Sequence, residues 1–292
     1  MELGISSYTY VWWAGVPGYA APREPLTPRL LLETAGALGV RVVQMADNLP
    51  LDGFSERELE DLGGAARALG IAIELGTRGI HPEILHRHLR IAGALGSSLL
   101  RTLLDSPGHE PSEEEAATML RAIAPEFERA GVLLAVENHD RFPAVSLRRI
   151  IESAGSAHVG VCLDTANSLG CGECAGQVID RLGDLVVNLH VKDFLVRRLP
   201  HHKGFVVEGA PAGQGLLKIP EILDRLKQYG RDCNVILEQW PPPEETIEAS
   251  IQKEKAWAEE SLRYLRTVEA LRNDDRPWNS ESSSAGSGRR GR

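Results

Sequence analysis

Three carboxylates and one imidazole, far apart in the chain, each close a short hydrophobic run. Glu137 ends VLLAVE, Asp164 ends VGVCLD, His190 ends LVVNLH and Glu238 ends NVILE. A continuously apolar run of this length reads as a buried parallel strand. A charged residue at its end sits where the strand leaves the core. Taken alone, such a carboxylate is often only a helix cap or a surface ion pair. Four of them in equivalent positions can converge on one divalent cation. Three anionic donors favour Mn²⁺ or Mg²⁺, and the single imidazole leaves Co²⁺ and Zn²⁺ open. A cation held this way polarises a keto oxygen and stabilises an enediolate, while a neighbouring carboxylate moves the α-proton.

Eight strand-like runs must position these groups: 2–7, 40–46, 71–76, 98–104, 132–137, 159–164, 185–191 and 234–238. Helix-like stretches alternate with them at 27–38, 55–69, 82–95, 112–130, 146–154, 173–182, 220–229 and 244–271. Thr27-Pro28 is a cap followed by a first-turn proline, and Ser55 with Glu58 forms a capping box. Gly39, Gly70, Gly96, Gly131 and Gly230 stand where helices stop. Eight β-then-α units predict an α/β fold, a single-domain (β/α)₈ TIM barrel over residues 1–271. An open doubly wound sheet would carry a Gly-rich turn after its first strand, and SYTYVWWAGVPGYAAP is no such turn. In a barrel the active site lies at the C-terminal strand ends, where all four candidate ligands fall. Residues 272–292 are polar and Ser/Gly-rich and are expected to be a disordered tail.

Composition narrows the function classes. The chain has 292 residues and a formal net charge of −9, which argues against a nucleic-acid partner. No apolar run is long enough for a membrane span, and the N-terminus lacks the features of a signal peptide. A cytoplasmic location is expected. Cys162 and Cys233 sit in apolar runs as small hydrophobes, and Cys171 and Cys174 lack a second metal-binding pair.

The motifs Val136-Glu-Asn-His-Asp140, Gly160-Val-Cys-Leu-Asp-Thr-Ala-Asn167, Asn188-Leu-His-Val-Lys-Asp193 and Leu237-Glu-Gln-Trp240 resemble those of the xylose-isomerase-like barrel superfamily, often labelled sugar phosphate isomerases/epimerases. The resemblance covers most of residues 1–270. It implies that Glu137, Asp164, His190 and Glu238 bind one divalent metal, and that both glutamates double as proton-transfer groups. ENHDRFP and GFVVEGAPAGQG are similar to the 3-oxo-isoapionate decarboxylase branch. C-glycoside deglycosidases, whose metal subunit needs a second small subunit, are also similar. The abasic-site endonucleases of this superfamily need a His-rich multi-zinc site and a basic surface. His81 and His109 follow strands three and four, but the acidic balance opposes that function.

The remaining site residues follow from position. Ketose 3-epimerases carry a His three residues past the ligand Asp; here that residue is Asn167, which hydrogen-bonds but moves no proton near neutral pH. His139 would share Glu137's direction on a continuing strand and is expected to transfer protons or bind substrate. Arg197, Arg198, His201, His202 and Lys203 form a basic cluster on an active-site loop and suit an anionic substrate, with Arg197 the favoured contact. Lys192 ranks below it and is expected to point away from His190. Gly209, Gly213 and Gly215 suggest a weak phosphate site or a lid turn. Tyr8, Tyr10, Trp12, Trp13 and Tyr19 read as a lid over a sugar face, with Trp240 as the opposite wall. The expectation is a divalent-metal-dependent enzyme acting on a keto-sugar or oxo sugar acid through an enediolate. Its type is a sugar isomerase/epimerase; the alternatives are a decarboxylase of a 3-oxo sugar acid such as 3-oxo-isoapionate, or the metal subunit of a C-glycoside deglycosidase. By the same resemblance the chain is open to homo-oligomer formation.

Overall fold

The computed structural model describes residues 1–271, so the expected tail at 272–292 lies outside the described residues. The strands are β1 (Leu3–Ser6), β2 (Val42–Met45), β3 (Ala72–Arg78), β4 (Leu99–Leu103), β5 (Leu133–Glu137), β6 (Val159–Asp164), β7 (Val186–Val191), β8 (Phe194–Arg198), β9 (Phe205–Gly209) and β10 (Asn234–Leu237). β1 to β7 and β10 close into a parallel barrel in the order β1-β10-β7-β6-β5-β4-β3-β2. All eight barrel strands were legible, since each is a buried apolar run. The barrel seam is β1 against β10, with Ile5 opposite Leu237.

The helices are α1 (Val11–Ala14), α2 (Pro28–Leu38), α3 (Glu56–Leu69), α4 (Pro82–Leu95), α5 (Glu113–Ala130), α6 (Ala144–Ser153), α7 (Ala175–Leu182), α8 (Ile219–Gln228) and α9 (Ile247–Leu265). Their ends follow from local chemistry. Ser55 Oγ accepts from Glu58 N, and Glu58 Oε2 accepts from Ser55 N at 2.8 Å, which starts α3. Gly39 ends α2 at φ 65°, a left-handed conformation that costs a side-chain-bearing residue. The expected last helix ends at Leu265 instead, and a short 3-10 turn at Glu269–Leu271 follows.

Side chains such as Ile5, Leu31, Leu100, Phe127 and Leu134 are fully buried around the strands. Each contributes about 1.5–3 kcal/mol of transfer free energy. Gly4 and Gly160 let neighbouring strands approach: a Cβ at either would lie 2.7 or 2.9 Å from a backbone oxygen, of Val42 and Leu185 respectively.

Two excursions rise from the C-terminal side of the strands. After β1 the chain forms a 3-10 turn at Ser7–Tyr10 and then α1. After β7 the expected loop is an antiparallel hairpin of β8 and β9, with Val196 opposite Val207. Among the described residues no helix is long and apolar enough to cross a membrane.

Candidate active site

β5, β6, β7 and β10 carry Glu137, Asp164, His190 and Glu238 to one place, and all four side chains are buried. His190 Nδ1 lies 3.5 Å from Glu137 Oε2 and 3.4 Å from Glu238 Oε1. Donor atoms of Asp164, His190 and Glu238 lie within 4.8 Å of one another. The other imidazole nitrogen fixes the tautomer. Gln44 Nε2 donates to Glu74 Oε2 and Asn188 Oδ1, so Gln44 Oε1 is left to accept from His190 Nε2 at 2.8 Å. Nδ1 therefore presents a bare lone pair to carboxylate oxygens. His190 Nδ1 and Glu238 Oε1 are buried without a hydrogen-bond partner, and Asp164 Oδ2 meets only the Lys192 ammonium. Lone pairs facing one another in a buried pocket repel unless a cation lies among them, and this donor set fits a divalent ion.

The surroundings differ for each carboxylate. Asp164 Oδ1 accepts from the backbone N–H groups of Ala166 and Asn167, both at 2.7 Å, which leaves Oδ2 turned to the cluster. Asn138 bridges β5 to β6, accepting from Asp164 N at 2.8 Å and donating to its carbonyl. Glu137 is tied at both oxygens: Arg101 Nε donates to Oε2, and Asn167 Nδ2 to Oε1 at 2.7 Å. Burial opposes ionisation of Glu137, but the positive charges of Arg101 and Lys192 prevail and hold its carboxyl down at about 2. Burial opposes ionisation of Glu238 as well, and His190 and Lys192 keep it below the usual carboxylate range. Cys162 shares the pocket with Glu137 and His190. Burial pushes its thiol well up, and Sγ donates to Asn188 Oδ1.

Lys192 departs from the expected orientation. Residues two apart along a strand share a face, so it lies on the same side as His190. Its Nζ turns into the cluster, 3.0 Å from Asp164 Oδ2 and 2.9 Å from Glu238 Oε2. Burial works against the ammonium, yet the three carboxylates hold its pKa well above the ordinary lysine value. Arg197 lies elsewhere, 64% exposed on the hairpin and paired with Glu208 at 2.7 Å. The ranking of these two cations is thus reversed. His139 does not continue the strand; its Nδ1 meets Asp140 rather than Glu137. Asn167 and Trp240 do border the cluster, with Asn167 Oδ1 3.5 Å and the Trp240 ring 6.0 Å from Lys192 Nζ.

The glycine-rich segment is no phosphate cradle. Asp193, itself buried, accepts from the N–H groups of Phe194, Gly213, Gly215 and Leu217 at 2.8–3.1 Å. A side chain at Gly215 would collide with that carboxylate.

The sequence reading missed Arg101, Gln44 and Asp47. Arg101 also donates to Asp47 Oδ1 and the Thr77 carbonyl, each at 3.2 Å. Its signal was present: one arginine inside the apolar run SSLLRTLL. A charge there is tolerated only when paired inside the barrel.

Fold and site together define a (β/α)₈ barrel with a buried polar centre suited to a divalent cation at its C-terminal strand ends. Residues 31–268 match the Xylose isomerase-like TIM barrel family, and the chain belongs to it. It is similar to 3-oxo-isoapionate decarboxylase of Pectobacterium atrosepticum, with 34% identity over 91% of this chain and 96% of that one. Among solved structures it resembles D-psicose 3-epimerase in the presence of D-fructose, with a TM-score of 0.70 and 18% identity over 92% of this chain and all of the other. A Xylose isomerase-like TIM barrel protein from Mycobacterium smegmatis in complex with magnesium gives 0.67 and 14% over 92% and 97%. An enzyme of the sugar epimerase or decarboxylase kind is supported by these relatives.

Proposed function

We propose that this protein is a divalent-metal-dependent lyase that removes CO₂ from an oxo sugar acid, with 3-oxo-isoapionate the first substrate to assay. The inequality of the two glutamates carries this reading. Epimerisation needs two groups that trade a proton across opposite faces of one carbon. Glu137 has both oxygens tied and is held as an anion by Arg101. Glu238 Oε1 has no hydrogen-bond partner. A carboxylate tied at both oxygens beside one with a single open oxygen suits a reaction with a single protonation at carbon. The relative named as a decarboxylase supports the same reading.

Glu137, Asp164, His190 and Glu238 would hold the cation, which supplies Lewis acidity toward a keto oxygen. Lys192 Nζ, beside Asp164 and Glu238, offers the positive charge that draws the substrate carboxylate in. The bond between that carboxylate carbon and the α-carbon breaks, and its electron pair moves onto the keto oxygen as CO₂ leaves. A proton taken from solvent and relayed through Glu238 Oε1 then reaches the α-carbon. Asn167 and Arg101 keep Glu137 fixed throughout. The four cysteines are unpaired, which supports a cytoplasmic location.

The test incubates Mn²⁺-loaded enzyme in D₂O with 3-oxo-isoapionate and a panel of ketoses. CO₂ release with one solvent deuterium in the product is expected. Deuterium entering a ketose of unchanged carbon number, without CO₂ release from any acid, would reassign the enzyme as an epimerase.

A further inference from the structure

Beside the polar cluster lies a chamber of about 630 Å³ whose walls have the opposite character. One wall is the excursion after β1, with Tyr8, Trp12 and Tyr19. A second is Trp240 and the three prolines after it, and the third is the hairpin at Val207. Tyr8 and Trp240 belong to both spaces: the Tyr8 hydroxyl donates to Asp47, which pairs with Arg101, and the Trp240 ring faces Lys192. Two residues of its wall thus border the candidate active site.

Several of its polar side-chain atoms are already engaged. The Trp12 Nε1–H donates to the Pro241 carbonyl at 2.9 Å, and Asn48 pairs with Ser7 through both ends of its amide. The Glu208 carboxylate is taken by Arg197. A second sugar ring placed here would bury hydroxyls without partners, at about 1–3 kcal/mol for each. A flat apolar ring has no such demand and gains from aromatic walls. Those walls are set in advance. Trp12 and Tyr19 already pack edge to face at 4.8 Å, and Glu254 accepts from the N–H groups of Trp12 and Trp13 at 2.8 and 2.7 Å. At Gly209 a Cβ would lie 2.6 Å from the Trp240 carbonyl, so the hairpin closes directly onto that wall. The volume lies within the range of pockets that bury drug-sized ligands, about 300–1,000 Å³.

We infer that this chamber is a subsite for a planar apolar group, so that the substrate class is an oxo sugar acid carrying an aryl or similarly flat apolar substituent. The polar head meets Lys192 and the four-residue cluster, and the ring lies between Trp12, Tyr19, Val207 and Trp240. The identity of the head group rests on the function proposed above; the ring assignment does not.

The test uses phenyl β-D-glucuronide and methyl β-D-glucuronide, a matched pair of sugar acids, titrated calorimetrically into the Mn²⁺-loaded full chain. The phenyl compound is expected to bind at least about tenfold tighter, a difference of about 1.4 kcal/mol. Val207→Trp fills the chamber from the exposed hairpin and should bring the ratio of affinities close to one. Val206→Trp, on the other face of the hairpin, should keep the ratio. Equal affinities, no measurable binding of the phenyl compound, or a preference that survives Val207→Trp would each overturn the inference. CO₂ release from 3-oxo-isoapionate with equal affinities in this pair would keep the reaction and remove the subsite. An aryl preference without CO₂ release from any acid would do the reverse.

Discussion

Gln44 decides which lone pair of His190 faces the carboxylates. Its oxygen takes the Nε2 proton because its own nitrogen is committed to Glu74 and Asn188. Replacing Gln44 with Leu frees the ring to carry its proton on Nδ1, where it would block a cation. Mn²⁺ affinity measured by calorimetry should fall about 10–100-fold, the usual effect of losing a group that orients a ligand histidine. An unchanged affinity would remove Gln44 from this role. Arg101 acts differently, as the counter-charge of Glu137 and Asp47. Arg101→Met leaves a fully buried carboxylate unpaired and should cost about 3–5 kcal/mol in urea denaturation. Gln44 was hard to read in sequence because an uncharged side chain mid-strand gives no sign of its partner, whereas Arg101 left a signal as a charge inside an apolar run. The four candidate ligands were legible because a charge at the end of an apolar run has no packing reason to be there. Lys192 was misplaced for a geometric reason. Alternation puts residues two apart on the same face, so Lys192 belongs on the side of His190 and not away from it.

The excursion after β1 is held from behind by α9. Glu254 is buried and receives two backbone N–H groups from Trp12 and Trp13, while burial pushes its carboxyl up to about 8. The charged and titratable groups that act on it are Lys255 and Tyr10. A carboxyl whose folded pKa exceeds its ordinary value near 4.5 stabilises the fold fully below that value, and the contribution is lost as pH rises through about 8. Thermal stability should therefore decline between pH 5 and pH 9 in the native chain. Glu254→Gln cannot ionise, so its decline should be shallower. Its Tm at pH 5 should also be lower, because the amide nitrogen opposes one of the two N–H donors. Parallel melting curves for both proteins would reject the assignment. At this scale the barrel strands and outer helices were legible, since caps, glycine stops and apolar runs all agree there. The hairpin was not. Its β-branched residues flank a PHHKG turn, but the basic residues between them drew the reading toward a substrate loop. The glycines after it serve Asp193, a partner that no spacing rule reveals.

The order of strands is what creates the centre. The four candidate ligands come from β5, β6, β7 and the end of β10, and β7 pairs with both β6 and β10. Glu137 and His190 are thus two strands apart, and Glu238 reaches the same point because β10 lies directly beside β7 in the barrel. An unfolded chain holds these groups at random separations and has no comparable affinity for a cation. Any ion that binds the cluster must therefore stabilise the whole barrel by linkage. At 100 times its dissociation constant the gain is about 2.7 kcal/mol. For a domain of this size, a Tm increase of about 5–10 °C follows. Chelator should remove that increase in the native chain and leave the melting of Asp164→Ala unchanged, because the variant lacks one ligand from the start. Differential scanning calorimetry with and without Mn²⁺ measures both. Identical melting of the native chain in Mn²⁺ and in chelator would mean that folding assembles these four side chains without making a binding site, and the proposed lyase chemistry would lose its foundation.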